Sequence, residues 1–197
     1  MARKGPVTTD TSTIALGLAQ IRIGDSATNI GDIHAALTAS DSIGALANTR
    51  FVGNTDWFKL ESGFPLIEDF TTPIRESAAL ECSFKEITPF NMALAYGFDP
   101  NSGEFASMTV HSGEVPIGDR VSPAYVRMEA VYTYPNGTNY MYIIFPRAQV
   151  SASVEMDLQS EDAAAVPIMI EGKRADSETT GGDAAWDDKP LGRIAWE

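Results

Sequence analysis

Residues 77–97 read SAALECSFKEITPFNMALAYG. Over the first half, Leu80, Cys82 and Phe84 alternate with Glu81, Ser83 and Lys85, the two-residue period of a strand wet on one side. The period then changes. Thr88 suits a helix N-cap, Pro89 the first helical position, and Gly97 the left-handed stop, with Phe90, Ala93 and Leu94 on one side. A strand thus runs into one helix of two to three turns, in a chain with almost no other helical pattern. One helical plug in a β-rich protein needs an open flank to cover.

Outward from there, the clearest alternation is QVSASVEMDL, residues 149–158. Val150, Ala152, Val154, Met156 and Leu158 oppose Gln149, Ser151, Ser153, Glu155 and Asp157, which predicts a strand to residue 158. Upstream, YVRMEAVYTY and YMYIIF flank PNGTN, and Asn136-Gly137 is the dipeptide a tight hairpin turn prefers. Tyr140, Tyr142 and Ile144 face one way and Met141, Ile143 and Phe145 the other, so this strand should be covered on both sides. TIALGLAQIRI, with a phase slip near Ala19, DWFKLE, and VPIMIEGKR, where Pro167 suggests an edge, are further strands. The expected architecture is mainly β, a sandwich or barrel with one short capping α-helix and long loop arms. It forms a single domain over 1–197, with an N-terminal extension 1–13, a long hairpin loop 61–76 and a flexible C-terminal segment 175–197.

The 61–76 connection is longer than hairpins need and carries Phe64, Pro65, Leu66, Ile67, Phe70, Pro73 and Ile74. It either folds over its own core or docks as an arm on a neighbouring subunit. The stretches SDSIGALANTRFVGNT and SETTGGDAAWDDKPLGR are polar and Gly-rich, and read as mobile when free.

Charge and composition limit function. In 197 residues, 14 Lys and Arg face 27 Asp and Glu, a net charge of -13 that repels phosphate backbones. Hydrophobic residues at 44% and charged residues at 21% are ordinary for a globular chain. The N-terminus does not read as a secretory signal, and no apolar run reaches the ~20 residues that span a bilayer. The single cysteine, Cys82, falls on a core face, which fits a reducing compartment. His34 and His111 lack metal-ligand spacing. The pairs Glu68-Asp69, Glu161-Asp162 and Asp187-Asp188 read as solvated acid, and Trp57, Trp186 and Trp196 as core or interface anchors. Asn136-Gly137-Thr138 matches a glycosylation sequon that its turn role explains. No nucleophile elbow, phosphate loop or dinucleotide fingerprint occurs, so no catalytic, metal or cofactor site is expected.

The order of these elements, strongest over residues 51–171, resembles the tail tube proteins of long-tailed bacteriophages, also called major tail proteins. The wide hairpin, the strand entering one helix, RMEAVYTYPNGTNYMYIIFPRAQV, SASVEMDLQSEDAAAVPIMIEGKRAD and a close in DDKPLGRIAW carry the likeness. The resemblance implies a barrel with a helix over its open side. It also implies homo-hexameric rings stacked into a tube that passes DNA without binding it specifically, inside a virion tail assembled in the host cytoplasm. Tape measure, tail terminator and distal tail or baseplate proteins would be its partners. Phe64, Pro65, Leu66, Ile67, Phe70, Pro73 and Ile74 would then lie at subunit or ring junctions, and Glu155, Asp157 and Glu161 would face the lumen. A contractile-tail or type VI secretion-like tube shares the fold. A β-sandwich decoration or receptor-binding module is the alternative from another class.

Overall fold

The computed structural model describes residues 17, 19–99, 101, 107–118, 122–151, 153–156, 158 and 164–197. The expected extension 1–13 lies outside them. Among the described residues, seven strands form one antiparallel sheet: β1 (Gln20–Asp25), β2 (Leu46–Ser62), β3 (Ile67–Phe84), β4 (Val126–Thr133), β5 (Tyr140–Val150), β6 (Val166–Gly172) and β7 (Arg193–Trp196). The spatial order is β1-β4-β5-β6-β3-β2, with β7 also paired to β5. β6 takes the end of β5 at residues 148–150 and β7 takes residues 141–144, so the two share one edge of that strand.

The sheet curls until its ends meet. The lead-in to β2 bonds β1 through Ile43 N to Ile21 O at 3.0 Å, and Lys85 N donates to Ala45 O at 2.8 Å on its other side. One core fills the interior, with Ile21, Ile23, Leu80, Phe84, Met128, Phe145 and Ile170 nearly or wholly buried. The chain is therefore a barrel of one sheet rather than two packed sheets.

The helix sits at that seam. α2 (Pro89–Ala95) starts as expected, with the Thr88 side chain accepting from Asn91 N, and stops at Gly97 with φ 81°. Phe98 N donates to Ala93 O and Gly97 N to Leu94 O, both at 2.9 Å, which satisfies the last carbonyls. Leu94 and Ala95 enter the core while buried Asn91 donates through Nδ2 to Ile43 O at 2.8 Å and to Glu86 O at 2.7 Å. The helix covers the place where the barrel closes through few backbone bonds. Ile43 is buried at this seam and β2 begins at Leu46, so the stretch expected to be mobile from Ser40 onward is built into the wall.

The hairpin of β4 and β5 forms as expected, with a wider turn. Tyr134 N donates to Asn139 O and Gly137 N to Tyr134 O, giving a six-residue connection in which Gly137 takes φ 71°. The Asn136 carboxamide accepts from Thr138 N and Asn139 N, which organises the extra residues. β5 is covered on both sides. Ile143 and Phe145 join the main core, and Ile144 joins a second cluster with Ala175 and Trp186. Trp186, in the C-terminal segment 175–197, is wholly buried and its Nε1 donates to Ile30 O at 2.5 Å.

Three strand boundaries differ from expectation. β5 ends at Val150; residues 151, 153–156 and 158 are not strand, because Ser151 N makes the last bond to β6, at Met169 O, and no further partner continues the ladder. β6 is interior rather than an edge, yet it pairs β5 only through Ile170–Gly172, so Pro167, opposite Ser83 of β3, is unpaired on the β5 side. β1 begins at Gln20, beyond the phase slip near Ala19, and residues 13–16 and 18 lie outside the described residues.

Candidate assembly surface

The largest departure from the sequence reading is also the best candidate for function. The 61–76 connection is strand except for a turn at 63–66, and β2 and β3 form a ribbon paired from Leu46↔Phe84 to Ser62↔Ile67. β3 meets β6 only at residues 79–84. Beyond that, both strands of the ribbon pair only with each other among the described residues, so its edges are open. The ribbon is an arm standing off the barrel.

Register decides what each face of the arm carries. β2 is uninterrupted from Asn48 onward, and its odd residues continue the core face: the Phe51 ring lies 6.4 Å from that of Phe145. β3 is bulged at Ile74 and Asp69, which shifts its parity twice and keeps cross-strand partners in step. Phe58 and Thr72, Leu60 and Phe70, and Ser62 and Ile67 are therefore opposite one another on the outer face. Trp57 and Pro73, Lys59 and Thr71, and Glu61 and Glu68 are opposite on the reverse face. The contacts agree with that division. Lys59 Nζ donates to Glu68 Oε2 at 2.8 Å, and the Thr71 hydroxyl donates to the same carboxylate. These bonds hold the Glu68 carboxyl below its ordinary range and raise Lys59, chiefly through their mutual hydrogen bond.

The outcome is one apolar face and one mixed face, both exposed. Phe58, Leu60, Ile67 and Phe70 make the apolar face. Of the junction residues named from the sequence, the structure groups Ile67 and Phe70 with Phe58 and Leu60. It puts Pro73 on the reverse face and Ile74 at a bulge. Phe64, Pro65 and Leu66 lie in the turn, where Phe64 is fully exposed at 103%. Sequence reasoning, which read Trp57 only as a core or interface anchor, missed Phe58 and Leu60 as members of this surface. Their signal was present in DWFKLE, a strand recognised as such but with no core to bury it.

Of the acidic residues expected to line a lumen, Glu155 alone is among the described residues. Glu155 is exposed outside any strand, in an open groove of about 520 Å³ beside Arg50 and Glu81, which pair at 3.2 Å. Asp157 and Glu161 lie outside the described residues. Other candidate chemistry is dispersed. The His34 ring faces Glu197 at 3.4 Å, and His111 is exposed. Burial pushes the Cys82 thiol up to about 12, which leaves it protonated and inert. Among the described residues no three His, Cys, Asp or Glu side chains are grouped to hold a metal, and no helix is long and apolar enough to cross a membrane.

On the side opposite its core residues, β4 carries a polar cluster the sequence did not announce. Arg127 and Glu129 are wholly buried and pair at 2.7 Å. Arg127 donates further to Asn29 O, Asp32 O and His34 O, and Glu129 accepts from Ala36 N and Leu37 N. The pair fastens the segment that follows α1 (Ser26–Asn29) over the outside of β4. Each side-chain nitrogen of Arg127 and each carboxylate oxygen of Glu129 has a partner inside the molecule, which marks the pair as structural.

No protein-family model and no curated protein matches the chain. Among solved structures it is similar to one described as an extracellular contractile injection system, the PVC sheath-tube complex in its extended state. The identity is 13% over 96% of this chain and 99% of that one, with a TM-score of 0.42. It is also similar to the anti-feeding prophage cap, described as the AFP tube terminating cap, at 10% identity over 100% and 94% of the two chains, with a TM-score of 0.42.

Proposed function

We propose that the chain is a structural virion subunit that polymerises as stacked homo-hexameric rings to form a tail tube, the conduit for genome delivery. The observation that carries the reading is the arm. A two-stranded ribbon with open edges and a solvent-exposed apolar face is an aggregation hazard in a monomer and a joint in a polymer. Fully burying a side chain such as Phe or Leu contributes about 1.5–3 kcal/mol, so covering the four on one face supplies on the order of 6–12 kcal/mol to a contact between copies. A contact between different surfaces of identical subunits closes into a ring when the rotation permits and otherwise extends into a filament. A barrel with a projecting arm offers both kinds of contact. The ring size of six, the passage of DNA, and the tape measure, terminator and distal tail or baseplate partners follow from the resemblance of the sequence. The net charge of -13 suits a conduit to which DNA does not adhere.

Negative-stain electron microscopy of the purified, concentrated chain tests this. Rings or tubes are expected. Monodisperse globules at every concentration, including in the presence of tails as seeds, would overturn it.

A further inference from the structure

Resting on that reading, we infer the socket into which the arm of one copy inserts on the next. At the base of the arm, Phe51, Ala78, Ile143, Phe145, Leu191 and Ile194 line a small crevice of about 120 Å³. Its lining is apolar but for one charged residue, Arg193. The Nε of Arg193 is buried without a partner, and its Nη2 reaches Glu197 only at 3.5 Å. Burying a guanidinium donor without an acceptor is costly, so the crevice is incomplete as it stands.

The tip of the arm has the complementary parts. Phe64 is fully exposed in the turn, and a dry cavity of about 150 Å³ is known to accept a benzene-sized group, so a crevice of this volume suits one aromatic ring. Around Phe64 the tip is acidic: Glu61, Glu68 and Asp69 against the single Lys59. Glu68 is engaged by Lys59 and Thr71, and Asp69 by Ser62. Glu61 makes no hydrogen bond among the described residues and is the carboxylate free to meet Arg193. Size and charge therefore both match tip to socket. The match is between copies, because the eleven steps of β2 from Phe51 to Ser62 hold the tip about 36 Å from its own base at ordinary strand rise. Tip into base is a head-to-tail contact, which propagates instead of pairing two copies and stopping.

Two variants with one added cysteine each, Leu66→Cys in the turn beside Phe64 and Ile194→Cys, are mixed under the conditions of assembly and treated with a short bis-maleimide. Native Cys82 is buried and protonated, so it stays silent. A cross-linked dimer joining the two variants is expected, with at least a tenfold lower yield when Ile194→Cys is replaced by exposed Ser40→Cys. Glu61→Lys on the Leu66→Cys copy, or Arg193→Glu on the Ile194→Cys copy, should each cut the yield several-fold, and the two together should restore it. Particles visible by microscopy without the 66–194 link would overturn the socket and leave the assembly reading standing. Equal linking to Ser40→Cys would overturn it too. Absence of particles and of links alike would remove both. Circular dichroism melts of each variant confirm that the barrel is folded, and Leu66, being exposed in the turn, is safe to replace.

Discussion

Two cation–glutamate pairs of nearly the same length sit in opposite surroundings. Arg127 and Glu129 meet at 2.7 Å with both side chains at 0% exposure, and Lys59 and Glu68 meet at 2.8 Å with side chains 58% and 42% exposed. The strands that carry them differ in the same way. β4 is buried along all but its last residue, while the upper half of the arm is exposed along nearly all of its length, though both contain large apolar groups. The barrel buries most of its apolar residues and meets its Arg127–Glu129 pair from within, whereas the arm has left its apolar surface unpartnered. Stability therefore resides in the body, and the capacity to associate resides in the arm.

The sharpest way to break that contrast is to remove one member of the buried pair. Arg127→Ala leaves the Glu129 carboxylate buried with its counterion gone and frees the carbonyls of Asn29, Asp32 and His34. A loss of about 3–5 kcal/mol is expected in urea unfolding, because an uncompensated buried charge is far more costly than the pair was worth. The double variant Arg127→Met, Glu129→Leu should lose much less. If both variants were equally destabilised, the segment over β4 would depend on packing rather than on the pair.

A second, smaller effect probes the seam. Thr88→Ala removes the side-chain acceptor for Asn91 N and should cost about 1 kcal/mol, the usual value of an N-cap. Hydrogen exchange should show the loss concentrated at the amides of Ile43 and Lys85, where the helix covers the closure. A loss spread evenly over the sheet would mean that the helix is ordinary core and not a plug.

In the arm the same kind of change should hardly register on folding. Leu60→Ser with Phe70→Ser removes one exposed cross-strand apolar pair, worth about 0.2–1 kcal/mol in a sheet, and the barrel's melting should barely move. Assembly, by contrast, should be abolished in electron micrographs. A drop in stability comparable to Arg127→Ala would show that the apolar face is already buried within the chain and overturn the division of labour.

Much of the barrel was legible because its local signals agreed with its environment. The 77–97 stretch carries both a two-residue and a helical period with caps at the correct places, and the structure realises each. The double coverage of β5 was equally readable from Ile143 and Ile144, since an apolar residue at every position needs two partners. Failure came where environment and pattern parted. At 67–76 the two bulges break the alternation, and apolar residues that are exposed look like a loop folded on its core. At 149–158 the opposite occurred: a perfect alternation exists, but the ladder to β6 stops at Ser151 N to Met169 O, and Pro167, two residues further along β6, has no N–H with which to extend it. Arg127 and Glu129 gave no warning, because two charges in VRMEAVYT read as the wet face of a strand. Only the segment 29–37, distant in sequence, turns that face inward.

The exposed pair provides the gentlest test. Glu68 is held below its ordinary 4.5, first by its hydrogen bond with Lys59 and then by that with Thr71. A carboxyl whose folded value is depressed contributes its share of pairing above its unfolded value, and that share is lost as pH falls through the lowered one. Carbon-detected titration of the Glu68 carboxyl should therefore give a midpoint below 4.5. Lys59→Met should return it most of the way, leaving the part due to Thr71. Because both groups are solvated, raising the salt should shrink the difference, whereas salt should leave the Arg127–Glu129 pair nearly untouched. A Glu68 midpoint insensitive to both Lys59→Met and salt would mean that the tip is sheltered in the free chain, and the arm could not then be the surface that waits for a second copy.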